Sequence, residues 1–485
     1  MLALAVARLA APPTPAAAAA GALAYRIRAA EGSCTIHVEI GLPPDASETG
    51  DVVIPRAIPM GYGVQRYDRY VSGVTGIAED GTAVPVERSE GPRWRPQARV
   101  ATLAYDVDLS AMEREILAGT DASRCRDGYA GILGYSIFGS VDGLENRPVT
   151  LQVTAPPDWP VFTTLSPSVP PPLGHAEVKA AGYYALADAQ ILLGPGFDVA
   201  RVEGAAPLLF VAAHAEAAID RPRLAAMARR ALDQLVAYFG PAPFDHYTLV
   251  FDVVKPITPA HEYDFAMEHL ESSTYAVSTL PDGMRGLRPG ATDVEAAVTE
   301  FWIAHHVAHA WIPKRAAGEG TFPHTWEIPP ILDSIWFAEG FGQYVAIDAQ
   351  ADAVPEGERA AFRRRRVDFR FRNSLESSPP FMLRMPLVQL SRVASTMYAE
   401  DFRTGRTVFS RGGLMASEMD EAIRAASGGS KRLRDAMRAI VARSAAGAPG
   451  FLTEEFPGLV RQATGVDVRP IFLKWLGPYE RPVSP

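Results

Sequence analysis

Lysine is scarce in this chain, supplying only five of its 47 basic residues. The 56 acidic residues outnumber the basic ones and leave a net charge of −9, a sign poorly suited to a nucleic-acid surface. Cysteine is almost absent. Cys34 and Cys125 can form one bridge at most, which excludes a disulfide framework and a cysteine-rich zinc site. Beyond the N-terminus no stretch offers about 18 uninterrupted apolar residues, so no membrane span is expected. Internal repeats are missing too. So are the loops of two common chemistries: Gly134-Tyr135-Ser136-Ile137-Phe138-Gly139 has the wrong spacing for a nucleophile elbow, and no Walker-type phosphate loop occurs. What is present is 485 residues, 48% hydrophobic and 21% charged. That composition excludes a disordered, collagen-like or coiled-coil architecture, and the length predicts about three domains.

The first residues stand apart. Met1–Ala11 is apolar and Pro12–Ala24 is rich in alanine, with small residues suited to a signal-peptidase cut. A basic leading region is lacking and Arg8 interrupts the apolar stretch. Residues 1–22 therefore read as a degraded or mis-started secretory signal, or as a disordered Ala/Pro tail. The first reading puts the protein in the periplasm or outside the cell and permits a Cys34–Cys125 bridge. The second leaves it cytoplasmic with two free thiols.

From Leu23 to about Ala155 the hydrophobic period is mostly two, in Tyr25–Arg28, Cys34–Gly41, Arg99–Tyr105 and Val149–Thr154. Turn clusters at Asp45–Gly50 and Glu79–Gly81 separate these runs, as in an antiparallel β domain. Strand character continues in Gln190–Leu193, Leu208–Ala212 and Tyr247–Val253. Between the last two, Asp220 sits where an N-cap belongs, Pro222 in the first turn, and Leu224–Phe239 is periodic until Gly240-Pro241 stops it. The second half predicts helices over Asp293–Trp311, Leu332–Ala349, Glu356–Arg372, Val408–Ala426 and Ser430–Ala445, with breaks at Ile328–Pro330 and Ser378–Pro380. The arginine run Arg363–Arg366 reads as a solvated helix face, with an anionic partner as the alternative. The expected class is a multidomain α+β chain: an N-terminal β domain at 23–205, an α+β domain at 206–372 and a helical domain at 373–485.

Histidine carries the chemistry, because three of the ten fall within five residues. On a helix His305 and His309 lie one turn apart on one face, so two ring nitrogens can meet one metal ion. The zinc-hydrolase form of this spacing is H-E-x-x-H, in which the Glu is the general base; here that position holds His306. Glu339 lies in the apolar run Ile335–Phe341, where a carboxylate is costly to bury unless it is paired or bound to a metal. Two imidazoles and one carboxylate form a recurring catalytic zinc set with a fourth position open. A hydrogen-bonded histidine pair and a locally paired Glu339 are the plainer alternatives.

These segments resemble the glycyl aminopeptidase family of zinc metallopeptidases, a branch of the thermolysin-like gluzincins. The family's H-E-x-x-H-x-W…K-R run is matched by His305 through Trp311 followed by Lys314-Arg315, and its W-F-x-E-G by Trp336 through Gly340. An upstream G-G-L-E-H-x-x-S strand is matched by Phe265 through Ser272. In the N-terminal domain, Ile54-Pro55…Ile58-Pro59-Met60-Gly61-Tyr62 and Leu151–Trp159 are also similar. The likeness runs to about Trp475, and the PDZ domain common in the family is expected to be absent. It implies a thermolysin-like zinc domain at 206–372, Zn2+ held by His305, His309 and Glu339, and peptide or protein N-termini as partners. Glu268 would lie on an edge strand and recognise the α-amino group, with His269, Phe265, Ala266 and Phe409 also on the substrate side. The plainer reading of Glu268 is an ordinary exposed strand residue near His269.

Two departures weigh on activity. His306 could act as a neutral imidazole base, swing onto the metal as a further ligand, or stay inert. The family's oxyanion-donating Tyr is matched by Phe409, in Thr407 through Gly412, and Tyr398 is a candidate substitute. Losing such a donor costs about 10²–10³ in rate, and losing a general base a further 10²–10⁴ or so. Phe265-Ala266 in place of the glycine pair crowds the strand. Two outcomes follow. One is a non-catalytic relative, with hydrolysis weak or lost, that still binds peptide termini; the other is a slow aminopeptidase using His306. Oligomeric state is not readable from the sequence.

Overall fold

A computed structural model describes residues 21–46, 50–279 and 284–479. The leader read at residues 1–22 lies almost wholly outside them. Among the described residues no helix is long and apolar enough to cross a membrane.

The N-terminal half is β-rich, as its period-two pattern predicts. A seven-stranded sheet runs in the order His175–Ala180, Val149–Thr154, Leu23–Arg28, Thr35–Gly41, Thr102–Asp108, Val71–Ile77, Ala83–Val84, with two four-stranded sheets beside it. Leu23, Tyr25 and Ile27 alternate with half-buried or exposed neighbours, so one face of that strand fills the core. Cys34 and Cys125 are bonded, with their Cα atoms 5.6 Å apart, and tie the start of Thr35–Gly41 to Arg124–Arg126.

A five-stranded sheet then carries the site. Its order is Phe197–Val202, Leu208–Ala215, His246–Val254, Ser272–Ser278, Asp264–Glu268. The three inner strands are parallel, and the edge strand Asp264–Glu268 runs antiparallel to Ser272–Ser278. Phe197–Val202 pairs with this sheet, so the boundary expected at residue 205 moves to before Phe197. The helix Arg221–Phe239 between strands is capped as its sequence predicts: the Asp220 carboxylate accepts from the Arg223 N–H, Pro222 sits in the first turn, and Gly240 ends it at φ 101°.

The boundary expected at 372/373 is not a division of the core. One hydrophobic cluster extends from Leu209 through Trp336 and Phe371 to Trp475, so the sheet and the C-terminal helices share an interior. Two predicted helices differ in detail. Leu332–Ala349 is a π-turn, Trp336–Phe341, running into the α-helix Gly342–Asp352. Glu356–Arg372 is the α-helix Arg359–Val367 followed by a second π-turn, Asp368–Arg372. The long helix Phe402–Ala426 packs against the first π-turn where Gly340 meets Gly412: a Cβ on Gly340 would lie 2.6 Å from the Gly412 Cα.

Candidate metal centre and cleft

The histidine helix, Asp293–Ala308, starts at a capping box. Thr292 Oγ1 accepts from the Glu295 N–H at 3.3 Å, while the Glu295 carboxylate accepts from the Thr292 N–H at 2.9 Å. This fixes the helix start and sends its last turn, with His305 and His306, into the interior; His309 caps the end.

His305 Nε2 and His309 Nε2 are 3.3 Å apart, and Glu339 Oε2 lies 3.4 Å from the first and 3.7 Å from the second. Zinc–ligand bonds of about 2.0–2.2 Å at tetrahedral angles give ligand–ligand edges of about 3.4 Å, so the three atoms fit one ion. All three residues are buried. The His309 Nδ1–H donates to the Ile312 carbonyl at 2.9 Å, which turns Nε2 toward the cluster. His305 Nδ1 is buried without a hydrogen-bond partner among the described residues. Burial, reinforced by His309, His306 and Arg370, holds the His305 imidazole far below its usual pKa, in the neutral form a metal requires. Burial pushes the Glu339 carboxyl up to about 7, His309 opposes that shift and Glu268 adds to it. Such a carboxylate gains most from a cation.

His305 and Glu339 of this cluster line a cleft of about 640 Å³. Phe265, Ala266, Glu268, His305, His306, Glu339, Tyr398 and Phe409 all line it. Glu268 is only 4% exposed, and its Oε1 has no hydrogen-bond partner among the described residues. Phe265 stands edge-on to Phe402 with ring centroids 5.9 Å apart, closing space that a glycine would leave open. The Tyr398 ring lies 5.8 Å from that of Phe409, so the two candidate residues are neighbours on the cleft wall. The His306 Nδ1–H donates to the Trp302 carbonyl at 2.8 Å, leaving Nε2 as its free nitrogen. Burial lowers the His306 pKa to about 4.

His269, expected on the substrate side, lies outside the cleft lining. It lies one residue past the strand Asp264–Glu268, and its nitrogens meet Asp188 and Thr274, each at 3.1 Å.

Two further residues at the site are not signalled by the histidine and carboxylate motifs. The Tyr62 hydroxyl, from the N-terminal half, donates to Glu339 Oε1 at 3.3 Å. Met60 and Tyr62 both adopt left-handed backbone, at φ 69° and 48°, a conformation costly for side chains of this size. Arg370, on the second π-turn, lies over the Trp302 ring at 4.7 Å and also lines the cleft. In the sequence Ile58–Tyr62 stands out by family resemblance alone, and nothing there singles out Arg370.

Comparison with known proteins agrees with this architecture. Residues 24–195 match the family model of the peptidase M61 N-terminal domain. A search of curated proteins finds no significant match. Among solved structures, an aminopeptidase N family protein from Idiomarina loihiensis superimposes with a TM-score of 0.80 at 18% identity, over 95% of this chain and 76% of that one. An M1 zinc metallopeptidase from Deinococcus radiodurans, bound to a Tyr-Ser-Ala substrate, gives 0.53 at 15% identity, over 96% and 95%. Native yeast LTA4 hydrolase gives 0.54 at 11%, over 100% and 73%. The fold is therefore that of the M1-type metallo-aminopeptidases: a β-rich N-terminal part, an α+β centre and a helical C-terminal region.

Proposed function

We propose that this cleft binds zinc through His305, His309 and Glu339 and receives the N-terminus of a peptide or protein, with hydrolysis weak or lost. One observation carries the reading: two members of a His–His–Glu cluster with tetrahedral-sized edges, His305 and Glu339, line the same cleft as a buried carboxylate, Glu268, that has an oxygen to spare. Zinc in this position supplies a Lewis acid for the first carbonyl of the peptide. The chain's own residues do the rest. Glu268 offers its unpartnered oxygen to the α-ammonium group, and Phe265 and Ala266 limit the space beside it. Tyr62 holds one oxygen of Glu339, so the other is left for the metal.

The hydrolytic parts are weaker. His306 replaces the carboxylate base, and with a pKa of about 4 it is a poor proton acceptor at neutral pH. Phe409 offers no hydroxyl. A second reading, a slow aminopeptidase with His306 as base, is favoured by its free Nε2 on the cleft wall. The Cys34–Cys125 bond supports a periplasmic or secreted protein.

Metal analysis of protein purified without chelator tests the first claim: about one zinc per chain is expected, and none in His305→Ala. A screen of short peptides tests the second. The binding reading expects little or no turnover, with activity appearing in His306→Glu. Turnover in the parent that His306→Ala abolishes would instead establish the slow enzyme.

A further inference from the structure

Arg370 has no counterpart in the motifs that define the cleft, yet it is firmly built into its wall. Its π-turn, Asp368–Arg372, is the second at this site, after the one that carries Glu339. Single π-turns inside α-helices recur where a side chain must be re-aimed. The Arg370 guanidinium lies over Trp302, one turn before His305 and His306 on the histidine helix, at 4.7 Å from the ring centroid. Its Nε–H donates to Gln343 Oε1 at 2.7 Å. Stack and hydrogen bond together fix the plane of the group. Neither terminal nitrogen has a protein acceptor among the described residues, although the side chain lines the cleft.

A cation so placed is expensive unless an anion answers it. Glu339 and Tyr398 are close enough to feel its charge, but neither makes an ion pair or hydrogen bond with it. Glu339 is already engaged by Tyr62 and the two histidines. Arg370 is half-buried on the cleft lining, where an anionic ligand can answer it. The position is also informative: the lining includes both Arg370 and Phe409, the residue that stands where a hydroxyl donor is missing.

Resting on the zinc reading above, we propose that Arg370 is the oxyanion-binding residue of the cleft, its terminal N–H groups receiving the oxygen of a ligand's first carbonyl or carboxylate beside the His305–His309–Glu339 cluster. Glu268 and Arg370 then read the two ends of one α-amino acid unit, the ammonium by a carboxylate and the oxygen by a planar fork of donors. The ligand class is a compound with a primary α-amine and an oxyanion on the adjacent carbon. Because the guanidinium is permanently charged, it polarises a carbonyl more strongly than a neutral hydroxyl, so the phenol lost at Phe409 has a replacement on a different helix.

Calorimetric titration of the zinc-loaded protein tests this with two probes. One is the phosphonic acid analogue of leucine; the other is isopentylamine, which keeps the amine and side chain but lacks the anionic group. Arg370→Gln is expected to weaken phosphonate binding about 10–100-fold while leaving amine binding within about twofold, the loss typical of a charge-assisted hydrogen bond. Arg370→Lys, which keeps the charge but not the fork, should fall between. Zinc content and the circular dichroism spectrum of each variant report whether the fold survived. Should Arg370→Gln fail to hold zinc or fold, the Arg370→Lys titration decides: phosphonate affinity equal to the parent's overturns the proposal. Equal phosphonate affinity in folded Arg370→Gln, or equal losses for both probes, overturns the role of Arg370 and leaves the zinc reading intact. A parent protein that takes up no zinc overturns both.

Discussion

Glu268 and His269 are neighbours in sequence and belong to two buried clusters that treat charge in opposite ways. On one side, His269, Asp188 and Lys314 close on each other. Asp188 Oδ1 meets Lys314 Nζ at 3.2 Å and His269 Nδ1 at 3.1 Å, and Oδ2 accepts from the Leu270 N–H at 2.6 Å. Burial would raise the Asp188 pKa, but Lys314 and His269 outweigh it and the carboxyl ends below its usual range. On the other side, Glu268 has an unpartnered oxygen, His305 has an unpartnered nitrogen, and burial drives Glu339 up to about 7. The first cluster is complete with protein atoms alone. The second leaves polar atoms that no protein group among the described residues answers. Buried polar groups cost free energy unless they are answered, so an unfinished cluster beside a finished one marks where the chain expects something from outside.

The comparison can be broken from either side. Removing Lys314 leaves Asp188 buried beside a single histidine, and loss of one partner from a buried ion pair typically costs about 3–5 kcal/mol. Lys314→Ala should therefore lower unfolding stability by about that much, measured by urea denaturation, while retaining the zinc of the parent. His305→Ala should do the reverse, weakening zinc by more than about 100-fold with little loss of stability in the metal-free protein. If the two variants exchanged these phenotypes, the assignment of closed and open clusters would be wrong. A smaller effect sharpens the same contrast. Tyr62 supplies the one protein hydrogen bond to Glu339 Oε1 among the described residues, and partners of metal-binding carboxylates are typically worth about 10–100-fold in metal affinity. Tyr62→Phe should weaken zinc by about that factor in a chelator competition while leaving the closed cluster untouched.

Much of the open cluster is legible in the sequence because its parts are local. A four-residue histidine spacing and a carboxylate in an apolar run each leave a local pattern in the sequence, whereas Glu268 is reached through the family resemblance. The fold class is legible for the same reason: period two gives way to helical spacing midway along the chain. Tyr62 and Arg370 are not legible, and the causes differ. Tyr62 reaches Glu339 across 277 residues, through two left-handed residues that no apolar pattern announces. Arg370 lies in a π-turn, and one extra residue in a turn rotates the downstream side chains by about 100° relative to a continuous α-helix. A reading of Glu356–Arg372 as one regular helix therefore loses the face on which Arg370 emerges. Adjacency in sequence likewise groups His269 with Glu268, although it lies past the end of the strand and turns to Asp188 and Thr274.

His324 supplies the mildest test, because it borders the closed cluster without belonging to it. Its Nε2 lies 3.4 Å from the Ala57 carbonyl, a weak contact across the two halves of the molecule. Burial lowers its pKa to about 4; the Ala57 carbonyl opposes the shift, Lys314 adds to it, and Asp188 opposes it. An unfolded chain binds this proton near pH 6.5, whereas the folded one holds out until about 4. Below pH 6.5 the unfolded state thus carries more protons, so His324 contributes stability that is present above that pH and drains away as the pH falls toward 4. The loss is at most about 3.5 kcal/mol, since each pH step between the two values is worth about 1.4. Urea denaturation of the parent at about pH 7 and about pH 4.5 should show the fall, and His324→Gln should make it shallower. An unchanged slope in that variant would mean that the junction beside the closed cluster is wetter than its packing indicates, with the acid sensitivity residing among the histidines of the open one.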